Sequence, residues 1–262
     1  MLSTLVSSAF SSTAFAALPS CGLERDETSR VASIVDGDTV VLQDGREVRL
    51  VGLQAPKLAL GRRNFSDWPL AVEARERLAA LVEHEEVQLF YGGRREDRYG
   101  RHLAHLYLAD GRWVQGVMVA EGLARVYSFP DNRSCVLELL RLEGQARAAQ
   151  QQIWGRPYYA VLSATEPLTL LDHVDSFQLV EGVIQSAALV RGRLYLNFGD
   201  DWRDDFTVTV APKHLRQFSD DLKVYRNARI RVRGWIKSYN GPEIVVTHPE
   251  QIEFLDGPGR AS

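Results

Sequence analysis

The stretch that decides the fold is Ile34-Val35-Asp36-Gly37-Asp38-Thr39-Val40, in which an Asp-Gly pair interrupts a run of β-branched residues. A second Asp-Gly pair follows at Asp44-Gly45. Asp-Gly between apolar runs is a strong signal for a tight hairpin turn. The sequence therefore predicts three consecutive antiparallel strands, at Val31–Val35, Thr39–Leu42 and Glu47–Leu53.

Helical and extended segments alternate after these hairpins. Pro69 begins a stretch whose apolar residues recur every three or four positions up to Val82, which is typical of an amphipathic helix. This order of elements is that of an OB barrel with helical additions, a mainly β fold of the α+β class. The elements predicted after this helix are strands at Glu86–Tyr91 and Arg101–Leu108, and helices at Trp113–Leu123 and Val136–Ile153.

The C-terminal part of the chain is again rich in β-type residues. From Phe177 onward, alternating segments are separated by turn residues such as Asn240-Gly241. They predict a second small OB-like β-barrel over residues 176–256, with a helical piece near Lys213–Leu222. Residues 157–175, which contain Pro167 and show little periodicity, are predicted to be a linker.

The overall charge excludes one class of protein. The 262 residues carry 31 basic and 34 acidic side chains, a formal net charge of −3. A strongly basic nucleic-acid scaffold is therefore excluded, and only local patches of cations could bind phosphate.

The N-terminus has the pattern of an export signal. Residues 1–20 contain no charge and include Ala14-Phe15-Ala16, a small-residue cleavage pattern. We interpret them as a signal peptide, which predicts a periplasmic or secreted protein; a misassigned start or a plain tail is the alternative. Leu18-Pro19-Ser20-Cys21 is faintly similar to a lipid-attachment site, so a lipid-anchored protein is a further alternative.

In an oxidising compartment Cys21 and Cys135 could pair, and two unpaired thiols are the other interpretation.

Three motifs stand in a fixed order in the first half of the chain: residues 34–40, Val48-Arg49-Leu50-Val51-Gly52-Leu53-Gln54-Ala55-Pro56, and Asp97-Arg98-Tyr99-Gly100-Arg101. Together they resemble the staphylococcal-nuclease (thermonuclease) family, and the similarity continues to Ile153-Trp154. The resemblance covers residues 31–156 and leaves a β-rich C-terminal extension. It implies an OB-type domain that acts on the phosphodiester backbone of DNA or RNA.

The resemblance also implies roles for single cationic residues. Two arginines of the family grip the phosphate, and Arg49 and Arg101 occupy their positions as candidate catalytic groups. A guanidinium suits this task because its planar fork donates two parallel hydrogen bonds and stays charged. Arg98 and Tyr99 lie in the same motif and are assigned to substrate binding.

A calcium site is implied in the same way. It would take a carboxylate from Asp38 and a backbone carbonyl from Ala55. The family's second carboxylate position holds Gln54, whose amide oxygen can coordinate calcium but carries no charge. Because charged ligands set calcium affinity, the resemblance implies a weakened site.

Lys57 is the largest departure, because it stands where the family has the glutamate thought to act as general base. A protonated ammonium cannot accept a proton from water near neutral pH. Calcium-dependent phosphodiesterase activity is therefore uncertain. Either Asp67 or Glu73 serves as the base instead, or Lys57 binds substrate in a basic rim that holds nucleic acid without cutting it, which we favour. That rim would comprise Lys57, Arg62, Arg63, Arg94, Arg95, Arg98 and Arg101.

A non-catalytic nucleic-acid-binding module is thus the main alternative to a nuclease. A cell-envelope protein whose two barrels bind only other proteins is a third interpretation. The sequence carries no motif for such a protein partner.

Other residues are weaker candidates. His102 and His105 are three apart on a predicted strand and face opposite sides, so they make a poor metal pair. The acidic loop at residues 200–205 could collect a cation, although a solvated turn is the simpler interpretation. Alternation puts three arginines on one strand face, a hint of an anion-facing surface: Arg229, Arg231 and Arg233. An aromatic base-stacking face could be formed by Tyr195, Phe198, Trp235 and Tyr239.

Overall fold

The computed structural model describes residues 21–256. The predicted signal peptide at residues 1–20 lies outside this range. Among the described residues, no helix is long and apolar enough to cross a membrane.

The N-terminal domain is built on a closed five-stranded barrel. Its strands are β1 (Glu24–Asp36), β2 (Thr39–Leu42), β3 (Glu47–Leu50), β5 (Glu86–Tyr91) and β6 (His102–Leu108). They follow each other around the barrel in the order β1-β2-β3-β6-β5. Two short strands outside the barrel, β4 (Gly52–Gln54) and β7 (Arg125–Tyr127), pair with each other. The predicted α+β fold with a thermonuclease-type barrel is confirmed.

The turn between β1 and β2 needs glycine for steric reasons. A Cβ atom on Gly37 would lie 2.7 Å from the Cβ of Ala55 and 2.8 Å from that of Ala74. Real Cβ atoms do not approach so closely, so only glycine lets this turn pack against both neighbours. The turn thereby brings Asp36 and Asp38 next to the segment that follows β4.

Three helices cover the barrel: α1 (Ala71–Val82), α2 (Val114–Ala120) and α3 (Val136–Ala148). Helix α1 begins later than Pro69, because Leu70 adopts a left-handed backbone with φ of 66°. Helix α3 ends before Ile153, because Gln150 also has a positive φ, of 51°. Both differences come from single residues with a left-handed backbone. The spacing of apolar residues in the sequence gives no sign of such a backbone.

The C-terminal domain is a curled eight-stranded sheet, counted over the described residues. Its strands are β8 (Leu162–Ser163), β9 (Phe177–Val183), β10 (Ser186–Val190), β11 (Arg193–Asn197), β12 (Thr207–Val210), β13 (Arg229–Ser238), β14 (Pro242–Val246) and β15 (Ile252–Phe254). The order is β10-β11-β12-β14-β13-β9-β8, and β15 pairs with β13. Its buried residues form a hydrophobic core distinct from that of the barrel. The predicted helical piece is two short 3₁₀ turns, Pro212–Gln217 and Leu222–Val224.

The structure differs from the prediction in residues 157–175. This segment contains a 3₁₀ turn, Pro157–Tyr159, then β8, which pairs in parallel with β9, and the short helix α4 (Pro167–Leu171). Leu170 is completely buried in the C-terminal core. The segment is therefore folded onto that core instead of being a free linker, and its isolated apolar residues give no periodic signal because each element is only a few residues long.

Buried ion pairs join the two domains. The guanidinium of Arg233 on β13 donates to Glu143 of α3 over 2.7 Å and also pairs with Glu253. Arg229 and Arg231, from the same strand face, both pair with Glu181. The idea of an anion-facing surface is therefore wrong, because carboxylates of the same chain already neutralise these three arginines.

Further polar contacts fix the orientation of the domains. Ser128 Oγ lies 2.7 Å from His248 Nε2. The guanidinium of Arg133 pairs with Glu250 over 2.7 Å. Together with the buried Arg233, these contacts hold the two domains in one arrangement.

Cys21 and Cys135 form a disulfide. Of the two interpretations of these cysteines, the paired one is found. The bond ties the segment before β1 to the residue that precedes α3, 114 residues later in the chain.

Candidate nucleic-acid site

A cavity of about 650 Å³ opens beside the barrel, between the β2–β3 strands, the segment after β4 and the loop between β5 and β6. It brings together all five residues that the sequence assigns to phosphate or substrate, namely Arg49, Lys57, Arg98, Tyr99 and Arg101. The remaining charged lining residues are the cations Arg62 and Arg94 and the carboxylates Asp36, Glu47, Asp97 and Asp131. The aromatic side chains of Tyr127 and Phe129 complete the wall.

Lys57 lies at the floor of this cavity, against two carboxylates. Its Nζ atom is 2.7 Å from both side-chain oxygens of Asp38 and 3.3 Å from Asp36 Oδ2. An ammonium has three N–H donors, and these three acceptors can take all of them. Lys57 therefore directs its ammonium at these two carboxylates and supplies positive charge to the floor.

Arg49 is held by the same carboxylate. Its guanidinium forms an ion pair with Asp38 and donates to Leu53 O over 3.0 Å. Only 12% of the Arg49 side chain is exposed, and the Asp38 side chain is completely buried. Arg49 thus neutralises Asp38 and braces β4, and little of it faces the cavity.

The floor is an electrostatically balanced cluster of two cations and two carboxylates. Burial by itself would raise the pKa of Asp38, but Arg49 and Lys57 lower it well below its usual range. The pKa of Asp36 is raised, first by burial and then by the charge of Asp38. Asp38 is consequently a permanent anion, and its charge is matched inside the protein.

Gln54 is engaged elsewhere. Its Oε1 atom accepts hydrogen bonds from Nε and Nη2 of Arg125, at 3.1 and 2.9 Å. Both side chains are buried, and the Arg125 guanidinium lies 4.8 Å from the ring centre of Phe177. Burial lowers the pKa of Arg125 to about 10, which leaves it cationic at neutral pH. The amide oxygen of Gln54 is thus already held by two donors.

The rim of the cavity carries the accessible cations. Arg101 pairs with Asp97 over 2.7 Å, and 30% of its side chain is exposed. Arg98 donates to the hydroxyl of Tyr99, whose ring is 68% exposed. In the described part of the chain, neither Arg62 nor Arg98 forms an ion pair with a carboxylate. Phosphate groups can therefore reach the rim more easily than the floor.

Neither alternative base lies in this cavity. Asp67 Oδ1 accepts a hydrogen bond from the backbone N–H of Ala59 at 2.6 Å. Glu73 lies in the first turn of α1. The two histidines are also apart, since His102 contacts the hydroxyl of Tyr91 and the buried His105 contacts the indole of Trp113.

Two residues of this site, Asp36 and Arg125, are not predicted by the sequence. Asp36 stands in the quoted turn motif, and its alternation with Asp38 was a signal that both carboxylates could face one cation. Arg125 gave no signal, because it is 71 residues from Gln54 along the chain.

Comparisons with known proteins agree with this fold. Residues 47–156 match the sequence profile of the family described as "Staphylococcal nuclease homologue". The chain is 30% identical over 135 residues to the thermonuclease of Staphylococcus intermedius, which covers 50% of this chain and 79% of that protein. It is 34% identical over 130 residues to endonuclease YncB of Bacillus subtilis, covering 48% of this chain and 60% of the relative. An uncharacterised endonuclease of Escherichia coli O157:H7 is 33% identical over 133 residues, covering 50% and 78%. The chain belongs to the staphylococcal-nuclease family.

The site residues do not fit the calcium ion that the family uses. Both oxygens of Asp38 already accept from Lys57, and one also accepts from the backbone N–H of Ala55 at 2.9 Å. Gln54 is held by Arg125. Within residues 21–256, no group of three or more Asp, Glu, His or Cys side chains could hold a metal. The ammonium of Lys57 fills the space beside Asp38 that a cation would need.

Proposed function

We propose that the N-terminal barrel binds the phosphodiester backbone of single-stranded nucleic acid without calcium-dependent cleavage. The observation that carries this proposal is the contact of Lys57 Nζ with both oxygens of Asp38. An internal ammonium replaces the charge of a metal ion, but it cannot polarise a phosphate oxygen or activate water as a metal does.

The side chains on the rim of the cavity determine how it would bind phosphates and bases. The exposed guanidinium of Arg98 and the partly exposed guanidinium of Arg101 can each donate two hydrogen bonds to a phosphate. Phe129 is 43% exposed and Tyr99 is 68% exposed, and both line the cavity, so bases can stack beside the bound backbone. Since acidic groups of the lining offset most of the cations, we expect moderate affinity that falls with salt in proportion to the few phosphates contacted.

Hydrolysis lacks the general base of the family as well as a metal. No carboxylate in the described part of the cavity occupies the position of the family's general base, because Lys57 stands there. Of the four lining acids, Asp36 contacts Lys57, Glu47 is the first residue of β3, and Asp97 and Asp131 are next to Arg101 and Arg94 on the rim. The last two acids contribute to the placement of these arginines.

Fluorescence anisotropy with labelled single-stranded DNA and RNA tests the proposal. We expect wild type to bind equally in calcium and in EDTA, and Arg98→Ala and Arg101→Ala each to weaken binding and lower the salt slope by about one. Arg112→Ala is the matched control, since Arg112 is an exposed arginine outside the cavity, paired with Asp110. A family nuclease is run beside the protein to detect cleavage.

Two results would overturn the proposal. Calcium-dependent cleavage that is lost in Arg101→Ala would identify an active nuclease of the family type. Absence of nucleic-acid binding at low salt would favour the alternative of a cell-envelope protein that binds other proteins.

We also propose that the protein acts outside the cytoplasm, in the periplasm or in secreted form. The disulfide between Cys21 and Cys135 supports this, because such bonds persist in oxidising compartments. Alkylation of freshly lysed cells with a maleimide reagent tests it. Two alkylated thiols in the native protein would contradict an oxidising location.

A further inference from the structure

The C-terminal sheet has a second cavity, of about 470 Å³, that the nucleic-acid site does not use. Its floor is the outer face of strands β10, β11, β12 and β14, where cross-strand partners share a side. One such row is Ala188, Tyr195 and Thr209, and another is Asn197, Thr207 and Glu243. The walls are Trp202, from the β11–β12 loop, and Tyr239 with Asn240, from the β13–β14 hairpin.

Three of the lining side chains are aromatic: Tyr195, Trp202 and Tyr239. Trp202 is 52% exposed and Tyr239 is 68% exposed, so neither is needed for the core. Phe198, which the sequence grouped with them, belongs to the core instead, and Trp235 donates to the hydroxyl of Tyr127. The exposed rings therefore form a distinct aromatic group on this face.

Glu243 is the only charged residue that lines this cavity among the residues described. One of its oxygens accepts from Thr209 Oγ1 at 2.6 Å, and within residues 21–256 no group donates to the other. Two cations adjoin the cavity, and among the described residues only one of them is paired with a carboxylate. Lys237, opposite Glu243 in the sheet, pairs with Asp175, and Arg193 donates to Thr209 over 3.3 Å.

The neighbouring loop strengthens the negative character of this region. Asp200, Asp201 and Asp204 are exposed beside Trp202, and one arginine, Arg203, lies among them. This field opposes the approach of a phosphate backbone and attracts a cation. Aromatic faces attract cations as well, and best when a carboxylate stands beside them.

We infer that this cavity binds the side chain of an arginine presented by a partner peptide. The rings of Tyr195, Trp202 and Tyr239 would enclose the planar guanidinium, and the free oxygen of Glu243 would accept its hydrogen bonds. A guanidinium is already seen against one of these rings, because Cζ of Arg203 lies 4.7 Å from the centre of Trp202. Arginine stacks on aromatic rings more readily than lysine, because it is planar and more weakly hydrated.

This site is independent of nucleic-acid binding in the first domain. An NMR titration tests it on the full ¹⁵N-labelled chain, by following the indole N–H signal of Trp202, assigned through its absence in Trp202→Phe. The probe is Nα-acetyl-arginine methylamide, and its charge-free control is the citrulline analogue, which has nearly the same shape.

We expect a saturable shift with the arginine probe and at least about tenfold weaker binding of the citrulline analogue, as for the loss of one charge-assisted contact. Glu243→Gln should weaken binding of the arginine probe by a similar factor, and Tyr239→Ala should weaken it too. Glu96→Gln, at an exposed glutamate of the first domain, should leave it unchanged. The remaining signals of each variant show whether its fold is intact.

Equal binding of the two probes, or no shift of Trp202 with the arginine probe, would overturn the inference. A shift caused by oligothymidylate would assign the cavity to nucleic acid. A shift caused by a neutral disaccharide such as chitobiose would assign it to carbohydrate.

Discussion

Arg233 of the C-terminal sheet and Glu143 of helix α3 form an ion pair between the two domains that is closed to solvent. Nη2 of Arg233 lies 2.7 Å from Oε2 of Glu143, and the two side chains are 1% and 0% exposed. Arg233 Nη1 also donates to the carbonyl of Val126, next to the cavity residue Tyr127. The orientation of the second domain is thus linked to one wall of the nucleic-acid cavity.

Removal of Arg233 should destabilise the whole chain strongly. Arg233→Ala leaves Glu143 buried with a single cation, Arg147, at 3.0 Å. Breaking a buried pair by removing one partner costs about 3–5 kcal/mol, so we expect a loss of that size in the free energy of unfolding in urea. Arg229→Ala is the control, because Arg229 is exposed and pairs at the surface, where about 1 kcal/mol or less is typical. Equal losses in the two variants would contradict this account of the interface.

Stability should also decline in acid because of His248. Burial lowers the pKa of His248 to about 4, from its usual 6.5, so the folded protein holds this ring neutral. The unfolded chain binds a proton below pH 6.5 that the folded chain does not bind until about pH 4. The free energy of unfolding therefore falls as the pH decreases from about 6.5 to about 4.

His248→Gln should remove this part of the pH dependence. In wild type, His248 accounts for at most about 3 kcal/mol of the fall in the free energy of unfolding, because each pH unit contributes about 1.36 kcal/mol. Urea unfolding between pH 7 and pH 4.5 measures the difference.

His84→Asn is the control, since His84 is exposed and has a left-handed backbone that asparagine tolerates. His105, whose pKa burial lowers to about 3, causes a parallel loss from about pH 6.5 downward, and this loss remains in His248→Gln. An unchanged slope in His248→Gln would show that another group is responsible.

Loss of the disulfide should destabilise the N-terminal domain. The bond joins residues 114 positions apart, and closing so long a loop restricts the unfolded chain. We expect Cys21→Ser with Cys135→Ser to lower the free energy of unfolding by roughly 2–4 kcal/mol. Reductant should have the same effect on wild type and none on the double variant. Insensitivity of wild type to reductant would mean that the two thiols are unpaired in solution.

Much of the fold could be predicted from the sequence, because its signals are local. Asp-Gly turns, β-branched runs and three- and four-residue spacing lie within a few residues of the structure they specify. The folded segment at 157–175 was not recognised, because β8 spans two residues and is defined only by its pairing with β9.

The sequence predicted which arginines lie in the candidate site, but it did not predict which of the site's side chains contact each other. The family motif brings Arg49, Arg98 and Arg101 to one cavity, as the resemblance implies. It does not indicate that Lys57 would turn inward to Asp38 instead of standing on the rim. That orientation depends on the charge of a buried carboxylate, Asp38, which is 19 residues away and comes close to Lys57 only once the turn is folded.

Calcium titration by calorimetry tests most directly whether Lys57 takes the place of the metal. We predict no calcium binding at this cluster in wild type. In Lys57→Glu, where the cation is replaced by a third carboxylate beside Asp36 and Asp38, we predict binding with a dissociation constant of roughly 1 mM or tighter, as for weak protein sites. Adding Asp38→Asn to that variant should abolish it. Calcium binding by wild type that disappears in Asp38→Asn would contradict the account.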